Sequence, residues 1–496
     1  MQGMKKVKYA LIVGGIVYFS TPLFSQNTNL LTFEEAYQVS IKNNHNLKQA
    51  QAVLDEKSQL EKAQKGLYLP KIGISANYVV MSDDITMDLN PVKDAITPIY
   101  GALGNYGNFS GVPTGNPQMP YLNDEMSTAA VRKQLLDGQA QLEASNWEKV
   151  IQEKQFGTVD ATFQWVLFAG GKVRAANKVS QLQQDESEFY VKQKEGELLC
   201  NLVQQYYGLC LAQEVTQVRK DVLDGMIQHV SDAQNLFNEG QISDAELLHA
   251  KMYQADAERE YSKAMYTENL IKSALINTLA DKNYTDVSTI NSLFVLDSIQ
   301  SLDYFIQLAD EKNPMLAQIK SKYEQAYQGY NIERANYLPA LAAMGTYNLA
   351  NVDLSPMVPD WMVGVGLSWT IFDGATRYHK VQSAKLKTVQ VDEYYNDASS
   401  NVNLMIQKTY NEMSINNDQL KSLKVSENFA KEYVRIQEKA FNEGIINSTD
   451  LIDARLNYAK VTIDELHAMY DYDVNLAILL HYTGIADQFI KYKQNK

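Results

Sequence analysis

The chain has 496 residues, room for two or three ordinary domains, and a formal net charge of −14. That charge argues against a nucleic-acid partner, which requires basic groups against phosphate. There are 11 prolines, and none lies between Pro120 and Pro314 or after Pro359. Proline breaks helix interiors, so two very long stretches are free to be continuous helix.

At the N-terminus, Lys5, Lys6 and Lys8 precede an apolar run from Tyr9 to Phe19, followed by Ser20-Thr21-Pro22. Residues 1–25 read as a secretory signal peptide cut after Ser25. The run is too short to span a bilayer, and no later stretch approaches 18 apolar residues, so helical membrane spans are not expected.

Helical spacing then covers 32–69 and stops at Leu69-Pro70. Residues 71–82 alternate, with Ile72, Ile74, Tyr78 and Val80 on one face and Gly73, Ser75 and Asn77 on the other. A segment over 83–155 interrupts the pattern: rich in Pro, Gly and Asn from Pro91 to Pro120, it turns helical from Asn123 to Gln155. Alternation resumes over 156–168, with Val159, Ala161, Phe163, Trp165 and Leu167 opposite Thr158, Asp160, Thr162 and Gln164. A turn at Gly170-Gly171 leads into a helix over 172–238, roughly 100 Å long at 1.5 Å per residue. Its apolar residues recur at three and four, as Leu202, Tyr206 and Leu209 or Val222, Met226, Val230 and Ala233 do, which predicts coiled-coil packing. Gly240 suits the left-handed end of that helix, and Ser243-Asp-Ala-Glu246 has capping-box spacing for a return helix over 243–281. Cys200 and Cys210 stand ten apart on one helix, too far to bridge, and read as small packing residues.

A connector over 282–301 follows, and then the plan recurs over 302–496. Helices occupy 302–338, strands 340–352 and 360–372, a long helix 375–442 and a return helix 448–483, with a C-terminal tail. Here Trp361, Val363, Val365, Leu367 and Trp369 alternate with Gly364, Gly366 and Ser368. The recurrence is literal. Trp165 to Gly170 returns as Trp369 to Gly374 and Asn238-Glu239-Gly240 as Asn442-Glu443-Gly444, both shifted by 204 positions. Tyr68-Leu69-Pro70 returns as Tyr337-Leu338-Pro339, shifted by 269, so the first copy (26–281) carries an insertion of about 65 residues within its strand pair.

Four strands of about ten residues, apolar on one face and polar on the other, are the pattern of a membrane β-barrel, and three of the four tryptophans fall on them as an interfacial girdle would. A soluble sandwich with one wet face shares the alternation. Four strands cannot close on themselves in hydrocarbon, so a membrane reading requires several copies. Long loops belong on the outer side of such barrels, which leaves the insertion as a lid, a partner surface or plain surface decoration.

These elements resemble the TolC family of outer membrane efflux proteins. The carriers are the duplicated Asn-x-x-Leu (Asn44 to Leu47, Asn313 to Leu316), the Leu-Pro strand starts, the Phe-x-Gly turns, and Gly-x5-[Glu/Asp]-Leu-[Leu/Ile]-x-Ala at Gly240 to Ala250 and Gly444 to Ala454. The resemblance implies an α+β membrane protein: a homotrimer whose 12-strand outer-membrane β-barrel, four strands per chain, continues as a long α-helical periplasmic barrel. Residues 282–301 and the chain ends would form an equatorial belt. It implies no catalysis and no cofactor, but an exit duct of a Gram-negative outer membrane serving a tripartite efflux or type I secretion system. Its partners would be outer membrane lipid, a periplasmic adaptor and an inner-membrane pump of RND or ABC type.

By the same resemblance, Asp450 and Asp453 would ring the periplasmic gate, and Gly240, Gly444, Glu246, Leu247 and Leu451 would mark the adaptor-docking tips. Asp450 also sits in a first helical turn, where any acid is favoured. The family's basic latch residue after the tip glycine is replaced by Ile445-Ile446. The rival reading is a secreted coiled-coil scaffold or adhesin without channel activity. No nucleophile–base set, phosphate loop or metal-ligand cluster appears in the sequence, and the transported substrate is not legible in it.

Overall fold

The computed structural model describes residues 29–494, so the signal peptide expected over 1–25 lies outside the described residues. In chain order the elements are β1 (Asn29–Leu31), α1 (Phe33–Asn43), α2 (His45–Lys65), β2 (Lys71–Val80), β3 (Ile85–Asp88), α3 (Asn90–Tyr106), β4 (Pro113–Asn116), β5 (Met119–Tyr121), α4 (Asp124–Ala144), β6 (Glu148–Gln152) and β7 (Gln155–Ala169). There follow α5 (Lys172–Asn238), α6 (Asp244–Leu279), β8 (Val287–Thr289), α7 (Leu302–Lys312), α8 (Pro314–Ala335), β9 (Ala340–Val352), β10 (Trp361–Ser368), α9 (Thr376–Asn442), α10 (Ser448–Thr483) and α11 (Phe489–Gln494).

The single helix expected over 32–69 is two helices, and the helices over 302–338 divide at the equivalent place. The break falls at the asparagine of Asn-x-x-Leu. Asn44 leaves the helical region, and its side chain accepts from the Leu47 N–H at 3.0 Å; Asn313 does the same for Leu316, also at 3.0 Å. An asparagine cap competes with the continuing helix by satisfying a first-turn donor, and Pro314 at the next position adds its own break.

The insertion also departs from its sequence reading. Its proline-rich part contains the 17-residue helix α3, with Pro91 in the first turn and Pro98 inside. The helix expected from Asn123 to Gln155 is α4, ending at Ala144, after which β6 pairs antiparallel with β3. Tertiary pairing overrides local preference there.

The chain divides into two units. One comprises 29–59, 181–325 and 388–494. Its core gathers Phe33, Tyr206, Tyr207, Phe294 and Phe489, with ring centroids 5.3 Å apart for Phe33 and Phe489 and 5.8 Å for Tyr207 and Phe294. Parallel pairing of β1 with β8 ties the start of the described chain to the connector, and the Tyr206 hydroxyl donates to the Leu31 carbonyl at 2.7 Å. Cys200 and Cys210 are free and donate to the carbonyls of Ala477 and Asn291; burial pushes both thiols up to about 12.

The other unit comprises 60–180 and 326–387. It holds a four-stranded antiparallel sheet in the order β10-β9-β7-β2, and the insertion. The strand expected over 360–372 ends at Ser368. Ser368 faces Ala340, the first residue of β9 after Pro339, so no neighbouring strand remains for Trp369 and beyond.

Candidate functional site

Two places concentrate the chain's exposed chemistry: the sheet in one unit and the helix-turn-helix ends in the other.

In the sheet the registers put one apolar face together. Ile74 pairs with Ala161, Ala161 with Tyr347, and Tyr347 with Trp361; on the next rung Ile72 pairs with Phe163, Phe163 with Gly345 and Gly345 with Val363. The outer strands leave this face open, with Ile72 78% exposed and Val363 72%, while Ala161 and Phe163 between them are partly buried. The opposite face carries Ser75, Asn77, Thr158, Asp160, Thr162 and Asn348. There Asp160 accepts from the Asn348 amide at 2.9 Å and the Thr158 hydroxyl at 2.8 Å. Among the described residues, both outer strands, β10 and β2, present a free edge.

Of the three tryptophans expected on the strands, Trp165 and Trp369 make equivalent bonds, although Trp369 lies just beyond the end of β10. The Trp165 indole N–H donates to the Tyr68 carbonyl at 3.0 Å, and that of Trp369 to the Tyr337 carbonyl at 3.1 Å. Trp361 opens β10, 64% exposed. At the sheet-to-helix turns Gly170 and Gly374 take φ of 62° and 65°, a region glycine enters freely. A Cβ at Gly170 would stand 2.6 Å from the Ala335 carbonyl oxygen, whereas Gly374 has open space. The second turn is braced instead by Arg377, which bonds Asp373 at 2.9 Å and the carbonyls of Asn336 and Ile371, over the Tyr337 ring.

The helix-turn-helix ends are built alike. Gly240 at φ 75° accompanies Gln241 N–H to Leu236 C=O at 2.8 Å; Gly444 at φ 71° accompanies Ile445 N–H to Ala440 C=O at 2.9 Å. Both are Schellman closures. Glu246 folds back onto the Ser243 N–H at 3.2 Å while Ser243 caps the Glu246 N–H, and Asn447 caps Asp450 at 2.9 Å.

Asp450 and Asp453 are both exposed, one turn apart on α10. Leu247 and Leu451 are 4% and 3% exposed, so they hold the ends together, and the apolar groups open to a partner are their neighbours Leu248 and Ile445.

Sequence reading missed what ties the two helical hairpins. His229 on α5 is 2% exposed, bonds the Ser448 hydroxyl of α10 through Nε2 at 2.5 Å, and lies 4.7 Å from the Phe441 ring. Burial, with the Arg455 cation second, pushes its pKa down to about 4. Arg455 bonds Glu438 at 2.9 Å and fills space left by Gly225, while Ile452 packs among Met226 and Ala257. No local signal marks these residues, because partners such as His229 and Ser448 lie 219 positions apart. Among the described residues no group of His, Cys, Asp and Glu could hold a metal ion, and no helix is long and apolar enough to cross a membrane.

Residues 305–484 match the family model described as outer membrane efflux protein. Outer membrane protein TolC of Vibrio cholerae is 22% identical over 161 residues, which are 32% of this chain and 36% of that relative. The matched segment thus spans about a third of the curated relative's length. In fold, the chain is similar to the CmeC outer membrane channel of Campylobacter jejuni, with TM-score 0.68, 16% identity and coverage of 93% of this chain and 89% of that one. It is also similar to VceC of Vibrio cholerae (TM-score 0.67, 12% identity, 91% and 96%) and to the open state of MtrE from Neisseria gonorrhoeae (TM-score 0.67, 14%, 92% and 89%).

Proposed function

We propose that this chain, a TolC-family outer membrane factor, works as a homotrimeric exit duct for a periplasmic adaptor and an inner-membrane pump. The observation that carries this reading is the sheet: four strands, one face apolar and open, the other polar, with both edges unpaired among the described residues. In hydrocarbon an open edge leaves backbone groups without partners, and the smallest closed barrels of this kind have eight strands. Three copies joined β10 to β2 give twelve strands, lipid on the apolar face and water on the face of Asp160 and Thr162.

The helices support the same assembly. The 67-residue α5 and α9 and the 36-residue α6 and α10 form two equivalent hairpins, consistent with an internal duplication. Along α9, Leu404, Ile415, Phe429 and Ile436 stay exposed in the protomer, where neighbouring copies would cover them. The helices would then enclose a periplasmic conduit. In it Asp450 and Asp453 of three copies would place six carboxylates at one constriction, selecting cations by charge, and the adaptor would meet the hairpin ends around Gly240 and Gly444.

The test is detergent extraction followed by native mass spectrometry and planar-bilayer recording. A trimer that conducts is the expected result, with Val363→Arg and Val365→Arg together abolishing membrane insertion, since an arginine facing mid-bilayer lipid costs about 2–4 kcal/mol. A monomer soluble without detergent would sink the proposal.

A further inference from the structure

The insertion is a module with many exposed large apolar side chains and none that is fully covered. Its fully buried residues are Thr97, Gly101, Gly104, Ser127 and Gln152, so no large apolar side chain is buried anywhere in it. Helices α3 and α4 touch through small residues. A Cβ on Gly101 would stand 2.8 Å from the Gln139 side chain, and one on Gly104 2.8 Å from Leu136. On the other side of α3, Val92, Ile99, Leu103 and Tyr106 are 48%, 56%, 43% and 83% exposed, with Ile96 partly exposed beside them.

The spacing of those five residues is four, three, four, three. That is a heptad seam, with Ile96 and Leu103 at a and Val92, Ile99 and Tyr106 at d. The residues that would spoil such a seam lie off it: Pro98 falls at c, while Thr97, Gly101 and Gly104 fall at b and f, against α4.

We propose that α3 supplies one helix of a parallel three-stranded coiled coil, in which the insertions of three copies cover one another along Val92, Ile96, Ile99, Leu103 and Tyr106. This rests on the trimer proposed above. A module whose large apolar side chains are at best partly covered is short of the main driving force for folding, so its cover must be permanent. That requirement favours sister copies over a transient partner. Residues 83–155 carry ten acidic and five basic side chains, a balance that disfavours an anionic lipid surface as the cover. Threefold symmetry makes the three helices parallel, and isoleucine at both core positions, as at Ile96 and Ile99, favours more than two strands. Seventeen residues are too few for an independent coiled coil, but tethering on one barrel raises the local concentration to roughly the millimolar range.

The experiment uses the full chain purified in detergent, with Ile99→Cys or Leu103→Cys at the seam and Asp94→Cys, at an exposed f position, as the control. Cys200 and Cys210 are shielded within the helical unit and contribute little background. Under a short bis-maleimide, covalent dimers on denaturing gels should exceed the Asp94→Cys level by about tenfold, as seam residues of a coiled coil face each other. Native mass spectrometry of each variant separates the two ways to fail. A trimer whose seam positions link no better than Asp94→Cys overturns the coiled coil and leaves the duct standing; a chain that forms no trimer overturns both. Seam cysteines that react instead with a bilayer-confined maleimide overturn the proposal in favour of lipid. In a second variant, Ile99→Asp with Leu103→Asp, the trimer should persist while protease cleavage between 107 and 123 accelerates about tenfold. Unchanged cleavage counts against the seam.

Discussion

Acid should loosen the join between the two helical hairpins at His229. The ring is buried against Phe441, bonded to Ser448 and close to the Arg455 cation, so only its neutral form fits. Its folded pKa is near 4 against 6.5 when free. A depressed pKa means that the folded chain binds fewer protons than the unfolded one. The stability contributed by the neutral ring is therefore complete above pH 6.5 and is lost as pH falls towards 4. At pH 5 the loss is about 2 kcal/mol, and the full difference is about 3 kcal/mol. Asp232 opposes the shift from the same helix and Glu438 pairs with Arg455, and the pKa near 4 is what remains after burial outweighs them. Hydrogen exchange of the intact protein, followed by mass spectrometry, reads the effect: amides around 229 and 448 should exchange roughly tenfold faster or more at pH 5 than at pH 7, after correction for intrinsic rates. His229→Gln should abolish the pH dependence. Exchange in the wild-type chain that is flat between pH 7 and 4.5 would refute the reasoning.

Three further outcomes follow from the geometry. Asp450→Ala with Asp453→Ala should leave assembly intact, raise single-channel conductance and weaken block by divalent cations in planar bilayers; unchanged conductance and block would remove these residues from the gate. Gly170→Ala should cost more than Gly374→Ala. Both meet the left-handed backbone penalty of about 1 kcal/mol, but only the first also drives a Cβ onto the Ala335 carbonyl, and urea unfolding of the two variants measures the difference. Trp165→Phe and Trp369→Phe should each weaken the folded chain by about 1 kcal/mol through loss of the indole bond to Tyr68 or Tyr337, read as lowered thermal dissociation temperatures; equal dissociation temperatures in wild type and variants would remove that role.

The two-faced strands and the long apolar stripes were legible in the residues because periods of two and three-to-four are local properties of backbone geometry. The turn chemistry was legible for the same reason: Gly240, Ser243 and Asn447 act on amides within a few positions of themselves. Asn44 and Asn313 were visible as a repeated motif, but not as helix breaks, since an asparagine cap and a tolerated mid-helix asparagine look identical until the chain direction is known. In the insertion, local chemistry misled. Pro98 argued against a helix that packing against α4 nevertheless holds, and the outward seam of α3 was hidden because burial has no local signature.

The sequence by itself determined the four two-faced strands of the sheet, the two long helices with their capped return helices, and which face of each strand is apolar. The tertiary structure alone decided three things. Strand order β10-β9-β7-β2 left two edges free, long-range packing buried His229 against Ser448, and α3 met α4 through glycines so that its isoleucines face out. The physical reason is range. Periodicity and capping are settled within a few residues, whereas an edge, a buried titratable ring or an uncovered stripe exists only relative to partners tens to hundreds of positions away.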